Sequence, residues 1–112
     1  MITIFTPTYN RAYLLNNAYQ SLLLQTKIDF EWIIVDDGST DSTEELISEF
    51  ISQNKINIRY IRQQNKGKHF AINRGVEVAK GELFLILDSD DVLPERTLDI
   101  VCKKYLERMS KM

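Results

Sequence analysis

Two stretches of this chain run almost wholly apolar and then end on aspartate. Phe30–Val35 leads into Asp36-Asp37-Gly38-Ser39, and Leu83–Leu87 leads into Asp88-Ser89-Asp90-Asp91. Near-continuous apolar runs of this length suit strands covered on both faces, as in parallel sheets. The rest of the chain supplies the partners. Ile2–Thr6 is short and β-branched and is expected to be a first strand stopped by Pro7. Ile56–Ile61 alternates and reads as a third strand between the two apolar runs.

Segments of helical period separate these strands. Asn10 is expected to cap a helix from about Arg11 to Gln25 that carries Leu15, Ala18, Leu22 and Leu23 on one face. Asp41 or Ser42 would cap a second helix, with Glu44 and Glu45 in its first turn and Ile47, Phe50 and Ile51 inward. A small-residue helix follows from about Lys68 to Ala79, ended by Gly81. Asn73 and Gly75 would serve its close packing on the sheet. Pro94 opens a last helix with a stripe of Leu98, Val101, Cys102, Tyr105, Leu106 and Met109.

The predicted order is β-α-β-α-β-α-β-α, with no linker, repeat or low-complexity tract. Right-handed crossovers bury each strand best in an α/β fold: a doubly wound, mainly parallel sheet with helices on both faces. Its 112 residues suffice for one core, and 44% hydrophobic with 27% charged residues is ordinary for a globular domain. The net charge of -2, with no basic face, argues against nucleic acid as a partner. The longest apolar run is too short to span a bilayer, so no transmembrane segment is read, and Met1–Thr6 has no basic n-region or cleavage site. Cys102 is alone and lies in a helical stripe, which favours a core role. A reducing, cytoplasmic compartment is the default for such a chain, with the cytoplasmic membrane face as a setting for a larger protein.

In sheets of this kind ligands sit beyond the carboxyl ends of the strands. That rule selects Pro7-Thr8-Tyr9-Asn10, Asp36–Asp41 and Asp88–Asp91. Two carboxylates about 5 Å apart repel by roughly 3 kcal/mol at an effective dielectric near 20. A divalent cation removes that repulsion, and an oxygen-only set favours Mg²⁺ or Mn²⁺. The plainer alternative for Asp88–Asp91 is a loop in which Asp91 or a neighbour caps the helix near Pro94. The Asp36-Asp37-Gly38 turn needs positive φ at Gly38, and its second acid could accept a hydrogen bond from a ring N–H. Capping alone is the alternative there. Tyr9 could stack on a base or cover the first helix. Lys66, Gly67, Lys68 and His69 at the start of the third helix form either an anion site or a solvated basic turn. Trp32 reads as core. His69 is the sole histidine, which excludes a histidine metal cluster and a Ser-His-Asp triad.

Taken together, Thr6-Pro7-Thr8-Tyr9-Asn10-Arg11, Ile34–Asp41, Asn65-Lys66-Gly67 with Asn73-Arg74-Gly75, Ala79-Lys80-Gly81-Glu82 and Leu87–Asp91 resemble the inverting glycosyltransferase family 2, over nearly the whole chain. The resemblance implies a Rossmann-like GT-A fold, an Asp-x-Asp motif at Asp88-Ser89-Asp90, and a nucleoside-diphosphate sugar donor, usually UDP-linked. By that likeness Tyr9 would lie against the uracil, Asp37 would accept from its ring N–H, and the backbone around Pro7 would contact the base. Asp88 would approach the ribose or sugar, Asp90 with Asp88 would hold Mg²⁺ or Mn²⁺, and Lys68 would contact phosphate. Where many relatives carry Arg, this chain has Ile72, so any diphosphate contact made by that Arg is either lost or moved to Lys68 or His69. The family's acceptor site and catalytic carboxylate lie in a further segment, so residues 1–112 read as the donor-binding part of a larger domain. Its acceptor would be a glycan or lipid-linked hydroxyl. Rival expectations are a non-catalytic nucleotide-sugar-binding module, a nucleotidyltransferase, which would want a Gly-rich basic loop after the first strand, and a phospho-acceptor domain, which would want a lone Asp at the middle strand.

Overall fold

A computed structural model describes residues 1–26 and 29–111; Lys27, Ile28 and Met112, within the 1–112 span read from the sequence, lie outside the described residues. The elements are β1 (Ile2–Thr8), α1 (Ala12–Leu23), β2 (Phe30–Asp36), α2 (Thr43–Gln53), β3 (Asn57–Arg62), α3 (Lys68–Val78), β4 (Leu83–Ile86) and α4 (Thr97–Ser110). The strands form one sheet in the order β3-β2-β1-β4, and every pairing is parallel. The chain winds outward from β1 through β2 to β3, then crosses to the other side of β1. The strand order therefore reverses between β1 and β4.

The expected two-faced layering is present. On one face, Ile2, Ile4, Trp32 and Ile34 pack with Leu15, Ala18, Tyr19 and Leu22 of α1, Ile47 and Phe50 of α2, and Leu98 of α4. On the other face, Phe5, Ile33 and Val35 lie under Ala71 of α3. Gly75 brings α3 onto the sheet: a Cβ there would stand 2.3 Å from the Phe5 ring. Asn73, expected to share that packing, is exposed. Trp32 is core as read, and its Nε1 donates to Thr6 Oγ1 at 2.8 Å.

Several local expectations change. Pro7 does not stop β1; it sits in register opposite Val35. The reason is geometric. Phe5 C=O accepts from Leu87 N–H on the β4 side, and Thr8 C=O accepts from Asp37 N–H on the β2 side. Alternation turns the Pro7 nitrogen toward β4, beyond the last paired residue, Ile86. The Leu87 carbonyl, which an amide at position 7 would have reached, takes the Thr6 hydroxyl at 2.6 Å instead.

Asn10 does not cap α1. It adopts φ 51°, and its Oδ1 accepts from Thr40 N–H at 2.8 Å and Asp41 N–H at 3.3 Å. The first turn of α1 is served from across the sheet edge, where Ala12 N–H donates to Asp41 Oδ2 at 3.2 Å. Asp41 Oδ1 also accepts from Thr43 N–H at 3.0 Å, so one aspartate serves two helices. Ile51 is exposed rather than inward.

Gly81 does not end α3, whose C-cap is Ala79 in extended conformation. It lies where a Cβ would meet Thr3 N at 2.5 Å. β4 is not fully buried, because among the described residues it is an edge strand, and Ile86 is 48% exposed. Pro94 does not open α4, which begins at Thr97. Of its predicted stripe Leu98 is buried and Cys102 packs against the core, while Leu106 and Met109 are exposed.

Candidate functional site

The carboxyl edge of the sheet holds a cleft of about 390 Å³ lined by Pro7, Thr8, Tyr9, Arg11, Asp37, Lys68, Ala71, Asp88, Ser89 and Asp90. It lies over the reversal between β1 and β4, where the rule for open α/β sheets expects it. Each residue singled out from the sequence as a ligand contact (Pro7, Tyr9, Asp37, Lys68, Asp88) or metal ligand (Asp90, Asp88) is on its wall. Arg11 is there too; its place after Asn10 in the loop leaving β1 was the available signal. His69 is exposed and is not among the lining residues. Ile72 packs beside Phe5 and Ala71 instead.

The β2 end is built first. Asp36 is fully buried. Its Oδ1 accepts from Ser39 N–H at 2.9 Å and from the Ser39 hydroxyl at 2.6 Å. Tyr60 donates its hydroxyl to Oδ2, and Arg62 pairs with the same oxygen at 3.7 Å. Burial, then the bond to Asp36, pushes the Tyr60 hydroxyl well above its usual range. Gly38 takes φ 84°, as the turn was read to require.

Asp37 points the other way, into the loop between β3 and α3. Its Oδ1 accepts from Gln63 Nε2 at 2.9 Å and Lys66 N–H at 2.7 Å, and its Oδ2 accepts from Gly67 N–H at 3.0 Å. Burial alone would raise its pKa; these three donors outweigh that and hold the carboxyl below the usual range. A carboxylate has about four acceptor sites, so these three donors leave one on Oδ2 unused.

The β4 end is built differently. Among the described residues the one charged partner of Asp88, Asp90 and Asp91 is Lys68, whose Nζ lies 3.5 Å from Asp88 Oδ1. Both side chains of that pair are largely solvated, so it contributes about 1 kcal/mol or less. Asp90 and Asp91 are exposed. The capping alternative is not realised: α4 has no side-chain cap on its N-cap residue, and Leu98 N–H donates to Gln25 Oε1 at 3.2 Å. Tyr9 is 44% exposed on the cleft wall. Among the described residues no group of three or more His, Cys, Asp or Glu is arranged to hold a metal by itself. Asp88 and Asp90 on one wall are a two-carboxylate, hard-oxygen set, which fits a cation whose shell is completed by water and ligand phosphate.

A parallel α/β unit with a polar cleft at its switch point, walled by an aromatic ring, a lysine at a helix N-terminus and open aspartates, is laid out to receive a ligand that is part flat ring and part anion. The sequence places the chain within that class: residues 3–109 match the model for glycosyl transferase family 2, and the chain belongs to that family. Glycosyltransferase GlyG of Streptococcus pneumoniae serotype 4 is 37% identical over 109 residues, which are 96% of this chain and 36% of GlyG. S. aureus TarS 1-349 in complex with UDP-GlcNAc superposes with a TM-score of 0.85 at 30% identity, over 91% of this chain and 30% of that one. Mannosyltransferase PcManGT from Pyrobaculum calidifontis, in complex with GDP-Man and Mn²⁺, gives 0.79 at 28% identity over 85% of this chain and 29% of that one. The chain thus spans about a third of the length of these relatives. No described helix is long and apolar enough to cross a membrane.

Proposed function

We propose that this chain binds the nucleoside-diphosphate sugar, UDP-linked, from which a family 2 glycosyltransferase passes the sugar to an acceptor hydroxyl with inversion. The observation that carries the reading is the pairing in one cleft of a half-exposed tyrosine with carboxylates that the fold leaves unspent. Asp88, Asp90 and Asp91 neither cap a helix nor form a buried pair. The fold gains little from them beyond the solvated Lys68–Asp88 pair.

In this reading Tyr9 lies against the uracil, the open lone pair of Asp37 Oδ2 accepts its ring N–H, and the Pro7 backbone meets the base edge. Lys68, at the N-terminal end of α3, faces the diphosphate. Asp88 turns to the ribose or sugar and, with Asp90, would hold Mg²⁺ or Mn²⁺. When bound, the cation supplies Lewis-acid stabilisation of the departing diphosphate. The Lys68–Asp88 pair must open as the donor enters, and its modest worth makes that inexpensive. The acceptor would be a glycan or lipid-linked hydroxyl, deprotonated by a general base as it attacks. The UDP-GlcNAc complex of TarS and the GDP-Man and Mn²⁺ complex of PcManGT support the ligand class.

Thermal unfolding tests the reading. A ligand bound only by the folded chain stabilises it by about 2.7 kcal/mol at a hundredfold excess over Kd. Millimolar UDP with Mn²⁺ should raise Tm, and Asp90→Ala should remove the Mn²⁺-dependent part of the rise while leaving the unliganded Tm in place. No rise in the wild type would overturn donor binding; an unchanged response in Asp90→Ala would overturn the metal assignment.

A further inference from the structure

Gln25 lies just past the end of α1, only 5% exposed. Its Nε2 donates to the carbonyls of Pro94 at 2.8 Å, Leu93 at 3.2 Å and Ser21 at 3.3 Å. Its Oε1 accepts from Leu98 N–H at 3.2 Å, serving one of the amides that the first turn of α4 leaves without a partner. Carbonyls at one terminus and an N–H at the other admit one orientation of the amide. Neighbouring groups reinforce it. Leu93 N–H donates to Ser21 Oγ at 3.0 Å, and Thr26 N–H donates to Glu95 O at 3.2 Å.

The segment these bonds grip is the one that carries the cleft aspartates. At its near end Leu87 is tied to β1 by its N–H to Phe5 O at 2.8 Å and by its carbonyl to Thr6 Oγ1. At its far end Leu93 and Pro94 are tied to α1 by Gln25 and Ser21. Between the two anchors, Asp88–Val92 has one internal backbone bond, Asp91 N–H to Asp88 O at 3.0 Å, and carboxylates facing solvent. A loop so lightly bonded keeps its shape through its ends.

We infer that Gln25 is a positioning residue for Asp88 and Asp90, a clamp that holds the carboxylate loop in the shape a cation and diphosphate meet. The inference rests on the donor-binding reading and adds to it a residue that is not among those lining the cleft. Glutamine suits the place because it offers donor and acceptor at once without charge. Glutamate would lose the donors and set a buried charge against three carbonyls, and methionine would keep the volume and lose every bond. With the clamp gone, the loop must be ordered at the moment of binding, and that cost falls on the ligand that uses the aspartates.

Calorimetric titration of the chain with UDP, once in EDTA and once in Mn²⁺, separates the two halves of the site. The nucleoside contacts at Tyr9 and Asp37 operate in both solutions, and the aspartates contribute in Mn²⁺ alone. Gln25→Met should keep the EDTA affinity within about twofold and lose about tenfold of the increment Mn²⁺ adds, the scale of one or two hydrogen bonds that order a loop. Ser21→Ala, a milder change that keeps the helix, should lose part of the increment in the same sense and carries the test if Gln25→Met does not fold. An unchanged Mn²⁺ increment, or equal losses in both solutions, would overturn the clamp while leaving donor binding intact. A wild-type chain that takes up no UDP in either solution would overturn the donor-binding reading and the clamp together.

Discussion

The two aspartate clusters look alike in sequence and have little in common in space. Each follows an apolar strand, and each begins with a carboxylate at the strand's last position or just past it. At the end of β2, Asp36 is sealed from solvent and meets Ser39, Tyr60 and Arg62, and Asp37 accepts three hydrogen bonds from the next loop. At the end of β4, three aspartates share a single lysine 3.5 Å from one of them. The first cluster is spent on holding loops; the second is held by other residues and is left open. The difference teaches that neighbouring aspartates at a strand end are free for a cation only where their oxygens have no structural employment, whereas Asp37 keeps one acceptor site beyond its three bonds.

The strongest way to break that contrast is at Asp36. Removing the buried Asp36 carboxylate leaves the Ser39 N–H and hydroxyl and the Tyr60 hydroxyl without their acceptor, at a cost of about 1–3 kcal/mol for each group that stays unsatisfied. Asp36→Ala should therefore lower Tm steeply in a melt without ligand, and a loss under about 1 kcal/mol would show that its partners are satisfied otherwise. Acid titration sharpens the contrast further. Asp37, Asp41 and Glu31 all have carboxyl groups held below the usual range by hydrogen bonds that outweigh burial. Folded, they bind protons less readily than the unfolded chain does. Their contribution is therefore complete above the ordinary carboxylate pKa near about 4 and is lost as pH falls through and below that value. Tm should decline below that point, and Asp37→Asn should decline less steeply than wild type. The smallest effect belongs to the open cluster. Asp91→Ala should leave the unliganded Tm within the roughly 0.5 kcal/mol typical of surface changes; a larger loss would mean that this cluster too is structural.

Much of this was legible in advance, because strand and helix periods are local. Phe30–Val35 and the residues after it, Ile47 and Phe50, and Gly38 with its positive φ all follow from spacing and backbone sterics. The cleft residues were legible for a second reason: topology alone brings the carboxyl ends of parallel strands to one edge. What escaped depends on partners distant in the chain. Pro7 stays in β1 because of where β4 ends. Asn10 does not cap its own helix because Thr40 and Asp41 occupy its carbonyl oxygen. Glu31, the second residue of an apolar strand, gave no hint that Thr3, Arg59 and the Lys80 amide would surround it. Gln25 reads as an ordinary helix-end residue until the loop it grips, some seventy positions on, is laid beside it.

Asn10 has a wider consequence. Its amide oxygen fastens the turn after β2, Asp41 of that turn fastens the start of α1, and its own N–H reaches Ser39 Oγ at 2.9 Å. The ring of Tyr9 and the carboxylate of Asp37 are thus carried on what is mechanically a single bracket. In the donor-binding reading their spacing has little freedom to adapt, so a heterocycle of another width would not be accommodated by remodelling either side alone, and a change of base preference would have to re-cut both turns and the joint between them at once.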